Sequence, residues 1–131
     1  MRFAIVLVLG LFIGVMATVM TLGALRQGTP FHQGLMAVMA WHHGQLRGMA
    51  DPERCDVEAA PRHLAMLAQA GEDLESAFLP TLNDERFIHY ARGYRQAVAA
   101  ARGEAPADCA AVAAIGESLR DSCSACHRDF R

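Results

Sequence analysis

The first segment of the chain is an uninterrupted apolar run. No charged residue occurs from Phe3 to Leu25, and arginines flank the run at positions 2 and 26. At 1.5 Å per residue, a helix of this length reaches about 34 Å, which is enough to cross the hydrocarbon core of a membrane. A cleavable signal has a shorter run that ends in small residues. Val15-Met16-Ala17 is the best cleavage site, but cutting there would leave Thr18 to Leu25 on the mature protein. An uncleaved anchor is therefore favoured over a signal peptide, and both stay open.

Beyond residue 26, the polar and apolar positions predict four amphipathic helices. Apolar residues recur at spacings of three and four, and caps, prolines and glycines mark the ends. The apolar positions predicted to face the core include Leu46, Leu64, Leu67, Val98, Val112 and Leu119. The predicted helices run from the cap Thr29 to Asp51, from near Val57–Pro61 to Pro80, from the cap Asn83 to Gly103, and from about Pro106 to Arg131. The sequence has neither the alternation of strands nor Asn-Gly or Asp-Gly hairpin turns. We therefore predict an all-α protein: residues 1–26 form a signal anchor or signal peptide, and residues 27–131 form an antiparallel up-down-up-down four-helix bundle.

Composition narrows the functional classes. The chain has 131 residues, of which 53% are hydrophobic and 20% charged, so it is too apolar for a disordered protein and suits one domain. Twelve basic residues against fourteen acidic ones leave a net charge of −2. This balance gives no basic footprint for nucleic acid. The sequence shows no arrangement of nucleophile, base and acid, and we expect no hydrolytic or transferase activity.

Candidate chemistry lies in the motif Cys123-Ser124-Ala125-Cys126-His127. Cys-x-x-Cys-His is the attachment sequence of c-type haem. On a helix, Cys123 and Cys126 lie on one face, where each thiol can add to a haem vinyl group, and His127 stays on that face to ligate the iron. A thioredoxin-like pair would need a strand context, and a zinc site would need two further ligands. We predict one covalent haem c, with His127 as its proximal iron ligand.

Two stretches of the chain resemble the cytochrome c-prime family and its low-spin relatives, which are four-helix-bundle c-type cytochromes. The sequence from Cys123 to Arg131 is similar to the family's Cys-x-x-Cys-His-x-x-aromatic-Arg ending, and Met39-Ala40-Trp41-His42-His43-Gly44 resembles its first-helix signature. The resemblance covers about residues 30 to 131, and an N-terminal anchor departs from the usual soluble member. It implies that Arg131 is a cofactor-binding residue on the proximal side, although a cation also favours a helix C-terminus.

The same resemblance places Met36 at the position that faces the distal side of the haem. In that family, low-spin relatives have a methionine there as the sixth iron ligand, whereas high-spin members leave the iron open to nitric oxide or carbon monoxide. The predicted topology permits the contact, because the start of helix one and the end of helix four share one end of such a bundle. On spacing alone, a methionine on a helical stripe fills the core. His32 is a rival ligand, at a position where the family often has an arginine near a haem propionate.

Two further cysteines are Cys55, in the loop between helices one and two, and Cys109, at the start of helix four. Both positions fall at the same end of the predicted bundle, opposite the haem. In an oxidising compartment, a spare pair favours a disulfide, and the alternative is two free buried thiols. The histidines at positions 42, 43, 63 and 89 are expected at the surface or as caps, without a metal role.

Together these features predict a membrane-tethered monohaem cytochrome that transfers single electrons. Covalent haem attachment takes place on the exported side of bacterial membranes, so the domain is expected in the periplasm, tethered by its N-terminal helix or released by cleavage. Its expected partners are redox proteins of a membrane electron-transfer chain. The family resemblance also implies a homodimer, for which Val38 and Trp41 are suitable apolar residues. Two other classes stay open: a five-coordinate cytochrome c-prime that binds nitric oxide or carbon monoxide, and an assembly partner of a respiratory complex.

Overall fold

The computed structural model describes residues 2–26, 30–78 and 83–130. The helix boundaries predicted at Thr29 and Pro80, and the predicted site residue Arg131, lie outside the described residues. The chain is all-helical: helices make up 84% of it, and the described ranges contain no strand. It divides into two compact units, Met1–Pro30 and Phe31–Arg131. The predicted all-α class is confirmed.

The first unit is the apolar helix α1, Arg2–Arg26. Its segment Ile5–Gly23 has a mean hydropathy of 2.6, and none of this segment is buried by the rest of the chain. The hydroxyl groups of Thr18 and Thr21 donate to backbone carbonyls four residues earlier, at 2.8 and 2.6 Å. These two hydroxyl groups are thus satisfied within the helix, as a lipid environment requires. Its length and composition suit a membrane anchor or a signal sequence.

The second unit contains four long helices and one short one within its described residues. Its α-helices are α2 Phe31–Gly48, α3 Ala60–Glu72, α4 Leu74–Ala77, α5 Glu85–Gly103 and α6 Cys109–Asp129, with a 3-10 turn at Pro52–Arg54. Helix α2 packs against α3 and α6, and α5 packs against the same two helices. Each long helix therefore has two long neighbours, and all four surround one core.

The core of the second unit comes from the predicted apolar stripes. The largest side chains that are fully buried are Leu46, Leu64, Leu67, Val98, Val112 and Leu119. Every long helix contributes at least one of them, which is the pattern expected when amphipathic helices turn their apolar faces inward. Burying one such side chain contributes roughly 1.5–3 kcal/mol. The hydrophobic spacing in the sequence thus identified the buried faces.

Two helices begin later than predicted. Asp84, rather than Asn83, caps α5, because its carboxylate accepts hydrogen bonds from two backbone N–H groups of the first turn at 2.9 and 3.4 Å. Asp108 caps α6 by accepting one such bond at 2.8 Å, and the helix begins at Cys109 instead of near Pro106. A carboxylate at this position satisfies a donor that has no partner inside the helix.

The second predicted helix is interrupted, so the expectation of one continuous helix up to Pro80 is wrong. Helix α3 ends before Asp73, and the short α4 follows directly. The N–H of Asp73 donates to the carbonyl of Ala70 at 3.2 Å. This bond spans three residues instead of four, which is the tighter 3-10 geometry, and it breaks the regular α-helical pattern.

Helices α2 and α6 approach closely at Gly116. A Cβ atom at this position would lie 3.3 Å from Cγ of Arg47 on α2. At the same crossing, Nε2 of His43 lies 2.8 Å from the carbonyl oxygen of Gly116 and donates to it as the Nε2–H tautomer. At Gly44 of α2, by contrast, a Cβ would meet nothing within 4 Å. Packing is therefore tighter around position 116 than around position 44.

We expect alanine to have opposite effects at these two glycines. Gly44→Ala should raise the free energy of unfolding by about 0.5–1 kcal/mol, because alanine loses less backbone entropy in a helix. Gly116→Ala should lower it by about 1 kcal/mol, since crowding against Arg47 outweighs that gain. Urea unfolding followed by circular dichroism measures both values. Equal stabilisation by the two substitutions would contradict the close approach of α2 and α6.

Candidate functional site

A cavity of about 530 Å³ lies among the helices of the second unit. Most of its wall is apolar or aromatic. The residues of this kind that line it are Met36, Met39, Ala40, Leu67, Leu74, Phe78, Phe87, Tyr90, Ala91, Tyr94, Leu119 and Phe130. Such a volume falls within the range of roughly 300–1,000 Å³ that is usual for small-molecule and cofactor sites.

Helix α6 brings the whole predicted motif to this cavity. Cys123, Cys126 and His127 all line it, because residues three and four positions apart share one helix face. Both thiols are free and half-buried, and His127 is more exposed. Burial raises the pKa of the Cys123 thiol, and nearby Cys126 raises it further. Burial also raises the pKa of Cys126, together with the negative charge of Asp129. Both thiols are therefore protonated at neutral pH.

The donor set on α6 fits a haem that is held by two thioether bonds. The two thiols have the spacing of the Cys-x-x-Cys-His motif, in which each cysteine attaches to one vinyl group of the haem. The imidazole of His127 is on the same helix face. The mostly apolar wall suits a large flat ring of apolar character. Within residues 2–26, 30–78 and 83–130, no group of three or more His, Cys, Asp or Glu side chains is arranged to hold a metal ion.

Met36 of α2 lines the same cavity, and its half-buried side chain packs against the core. The fold thus brings Met36 and His127 from opposite ends of the second unit's sequence to one site. Met39 and His32 also line this cavity. The ring of His32 packs 5.4 Å from the ring of Phe78, measured between centroids. The choice of Met36 as a distal ligand, with His32 as its rival, stays a prediction.

Aromatic and polar contacts hold the last turn of α6 against α5. The ring of Phe130 packs edge-on against Phe87, with 5.5 Å between centroids. The hydroxyl of Tyr90 donates to the carboxylate of Asp129 at 3.1 Å. These contacts hold Asp129 and Phe130, which directly follow the turn that carries His127, and they limit the freedom of its backbone.

Two polar side chains form part of the cavity wall without being among the predicted site residues. Tyr94 of α5 is buried, and its hydroxyl donates to the backbone carbonyl of Leu67 at 3.4 Å. Burial raises the pKa of Tyr94 far above its usual value, so the phenol stays protonated. His43 lines the cavity instead of lying at the surface. Its position seven residues after Met36 was a signal for this, because that spacing returns to the same helix face after two turns.

His63 of α3 also differs from its expected place. Only 3% of its surface is exposed, so the expectation of a surface or capping residue is wrong for it. Its Nδ1 lies 2.9 Å from Nδ1 of His42 on α2, and this hydrogen bond permits burial of a polar ring. Neither ring lines the cavity. The pairing joins two different helices, so the spacing along one helix could not predict it.

The second pair of cysteines is held together. The sulfur atoms of Cys55 and Cys109 are at disulfide distance, and their Cα atoms are 5.9 Å apart. This Cα separation is within the usual range for a disulfide. The pair joins the segment before α3 to the first residue of α6, as the predicted arrangement of loops required.

No family model, curated protein or solved structure matches this chain. The resemblance to the cytochrome c-prime family therefore rests on the motifs on α2 and α6.

Proposed function

We propose that this chain is a monohaem c-type cytochrome of the c-prime type that carries out one-electron transfer. Cys123 and Cys126 hold the haem covalently, His127 is the proximal iron ligand and Met36 is the sixth ligand. The observation that carries the proposal is that the two free thiols, the imidazole and the thioether all line one largely apolar cavity of cofactor size.

The chemistry that the haem supplies when bound is a one-electron couple between ferric and ferrous iron, and a thioether ligand raises its reduction potential. Each thiol of the chain contributes its sulfur to one vinyl carbon and its hydrogen to the other, so attachment needs no oxidant. The imidazole of His127 and the thioether of Met36 give the same two ligands in both oxidation states. The mostly apolar wall places few polar groups next to the cofactor, so few protein dipoles have to reorganise around the changing charge.

The order of the helices supports the four-helix-bundle form of this family. The start of α2, with Met36, and the end of α6, with His127, meet at the cavity. The segment before α3, with Cys55, meets the start of α6 at Cys109. In an up-down-up-down bundle, the first of these pairs of segments would meet at one end of the bundle and the second pair at the opposite end.

The same proposal assigns the domain to the periplasm. Haem attachment to this motif takes place on the exported side of the membrane, and a cysteine pair at disulfide distance suits an oxidising compartment. In this proposal, α1 is an uncleaved anchor that keeps the domain close to the redox proteins of a membrane electron-transfer chain. Tethering raises the effective concentration of the domain at these partners.

Visible spectra of the ferric and the dithionite-reduced protein, with and without carbon monoxide, test the sixth ligand. We expect low-spin spectra, a methionine-to-iron charge-transfer band and little response to carbon monoxide. Met36→Leu should remove that band, convert the ferric iron to high spin and admit carbon monoxide at once. Met39→Leu is the matched control: it makes the same substitution one turn away on the same cavity wall and should keep the native spectrum. Leucine is close to methionine in volume, so neither change leaves a large cavity.

The other outcomes of this test are also informative. High-spin spectra and immediate carbon monoxide binding in the unsubstituted protein, unchanged by Met36→Leu, would favour the gas-binding class over electron transfer. A protein that yields no haemochrome spectrum in alkaline pyridine after expression with a haem-attachment system would refute the cytochrome proposal itself.

A further inference from the structure

A pair of histidines joins α2 to α3 outside the cavity. Nδ1 of His42 lies 2.9 Å from Nδ1 of His63, and the ring of Trp41 packs against both imidazoles, at 4.6 and 5.6 Å between centroids. His63 is almost fully buried, whereas His42 is half-buried. Neither is needed by the proposed cofactor chemistry. We refer to His42 and His63 as the histidine pair.

The contact within the histidine pair depends on protonation. A hydrogen bond between two ring nitrogens needs one N–H donor and one unprotonated acceptor. The bond survives when the pair is neutral or carries one positive charge. When both rings are protonated, two N–H groups face each other across 2.9 Å, and the acceptor is lost. Double protonation therefore replaces an attraction between α2 and α3 with a repulsion.

The surroundings of the histidine pair oppose its protonation. Burial lowers the pKa of His42, and the positive charge of Arg62 lowers it further. Burial is also the main reason that the pKa of His63 is lowered, with additional contributions from His42 and Arg62; Asp56 acts in the opposite direction. Arg62 belongs to α3, and Asp56 to the segment before it. Arg54 of the preceding 3-10 turn borders the same polar pocket as His63.

We infer that the histidine pair is an acid-sensitive latch between α2 and α3, closed while the two rings share one hydrogen bond and open when both are protonated. Helix α2 also carries Met36, Met39 and His43 of the cavity wall. Opening of the latch would release the part of α2 that positions these residues. This second step, regulation of the distal side of the cavity by acid, rests on the proposed function, whereas the latch itself does not.

The direction of the pH effect follows from the lowered pKa values. Both histidines are harder to protonate in the folded chain than in the unfolded chain, where their ordinary pKa is 6.5. The stabilising contribution of the pair is therefore fully present above pH 6.5 and decreases as the pH falls through and below that value. For each proton that only the unfolded chain binds, the unfolding equilibrium constant rises by about tenfold for every unit by which the pH falls.

The test measures the stability of the full-length protein in detergent between pH 8 and pH 5. His42→Gln and His63→Gln each remove one titrating ring but keep a neutral hydrogen-bonding side chain. The unfolding equilibrium constant rises as the pH falls, and we expect each substitution to make this rise about tenfold smaller per pH unit. His89→Gln is the matched control, because His89 is exposed on α5, and it should leave the pH dependence unchanged. His42→Gln, at the half-buried position, provides the test if the variant at buried position 63 does not fold.

Two readouts separate the latch from the function proposal. In haem-loaded protein, the methionine-to-iron band should weaken over the same acid interval in the unsubstituted chain but not in His42→Gln. Failure of haem loading would refute the cytochrome proposal and leave the stability test of the latch intact.

The latch is refuted if both glutamine variants keep the full pH dependence. It is also refuted if added Zn²⁺ stabilises the unsubstituted protein but not the variants, because the pair would then be a metal site.

Discussion

Replacing both Cys123 and Cys126 with alanine is expected to abolish covalent haem attachment completely. Each thiol is free and lines the cavity next to His127, and no thioether bond can form without these sulfur atoms. Histidine ligation alone leaves a haem that dissociates when the chain unfolds. The measurement is haem staining on a denaturing gel together with the intact mass. The unsubstituted chain should carry the mass of one haem, and the double variant should carry none.

The matched control for this experiment removes the other two cysteines. Cys55→Ala/Cys109→Ala changes the same number of cysteines in the same chain, away from the cavity lining. It should retain covalent haem at the unsubstituted level in whatever fraction folds. Single variants at Cys123 or Cys126 should retain one thioether bond and shift the reduced absorption bands. Covalent haem in the Cys123→Ala/Cys126→Ala protein would contradict the assignment of the attachment site.

The same Cys55→Ala/Cys109→Ala protein should be much less stable than the unsubstituted chain. The two cysteines are 54 positions apart. On the chain-entropy account, a bond that closes a loop of that size restricts the unfolded chain and thereby stabilises the folded chain by about 4 kcal/mol. Urea unfolding of the two proteins measures the difference. A reducing agent should lower the stability of the unsubstituted protein by a similar amount and leave the variant unaffected.

A count of free thiols checks the same bond directly. Alkylation of the unfolded, haem-free chain should label Cys123 and Cys126 before reduction, and all four cysteines after it. Equal labelling before and after reduction would contradict the bond between Cys55 and Cys109. In that case, any loss of stability in the double variant would have to come from changed packing at the start of α6.

Local sequence signals predicted the structural features that depend on residues close to one another along the chain. The apolar period located the helices and their buried faces, so Leu46, Leu64 and Leu119 were found in the core. The spacing of Cys123, Cys126 and His127 placed them on one helix face, and they line one cavity. The starts of α5 and α6 were predicted too early, because Asn83 and Pro106 are themselves helix-start signals and lie just before the aspartates that cap these helices.

Contacts between helices were predicted only where topology constrained them strongly. An up-down-up-down order requires Cys55 and Cys109 to share one end, and their sulfur atoms are at disulfide distance. The same order permits Met36 and His127 to reach one cavity, which they do. It does not specify where the backbone of a helix changes to 3-10 geometry, so the interruption at Asp73 was not predicted.

The sequence by itself determined the helical class, the apolar N-terminal helix, the buried faces and the placement of Cys123, Cys126 and His127 on one helix face, because each of these depends on residues within a few turns of one another. Only the tertiary structure decided that His42 and His63 share a hydrogen bond. It also decided that His43 lines the cavity and that α6 approaches α2 closely at Gly116. These features depend on the rotation and separation of packed helices, which are set by the fit of many side chains at once.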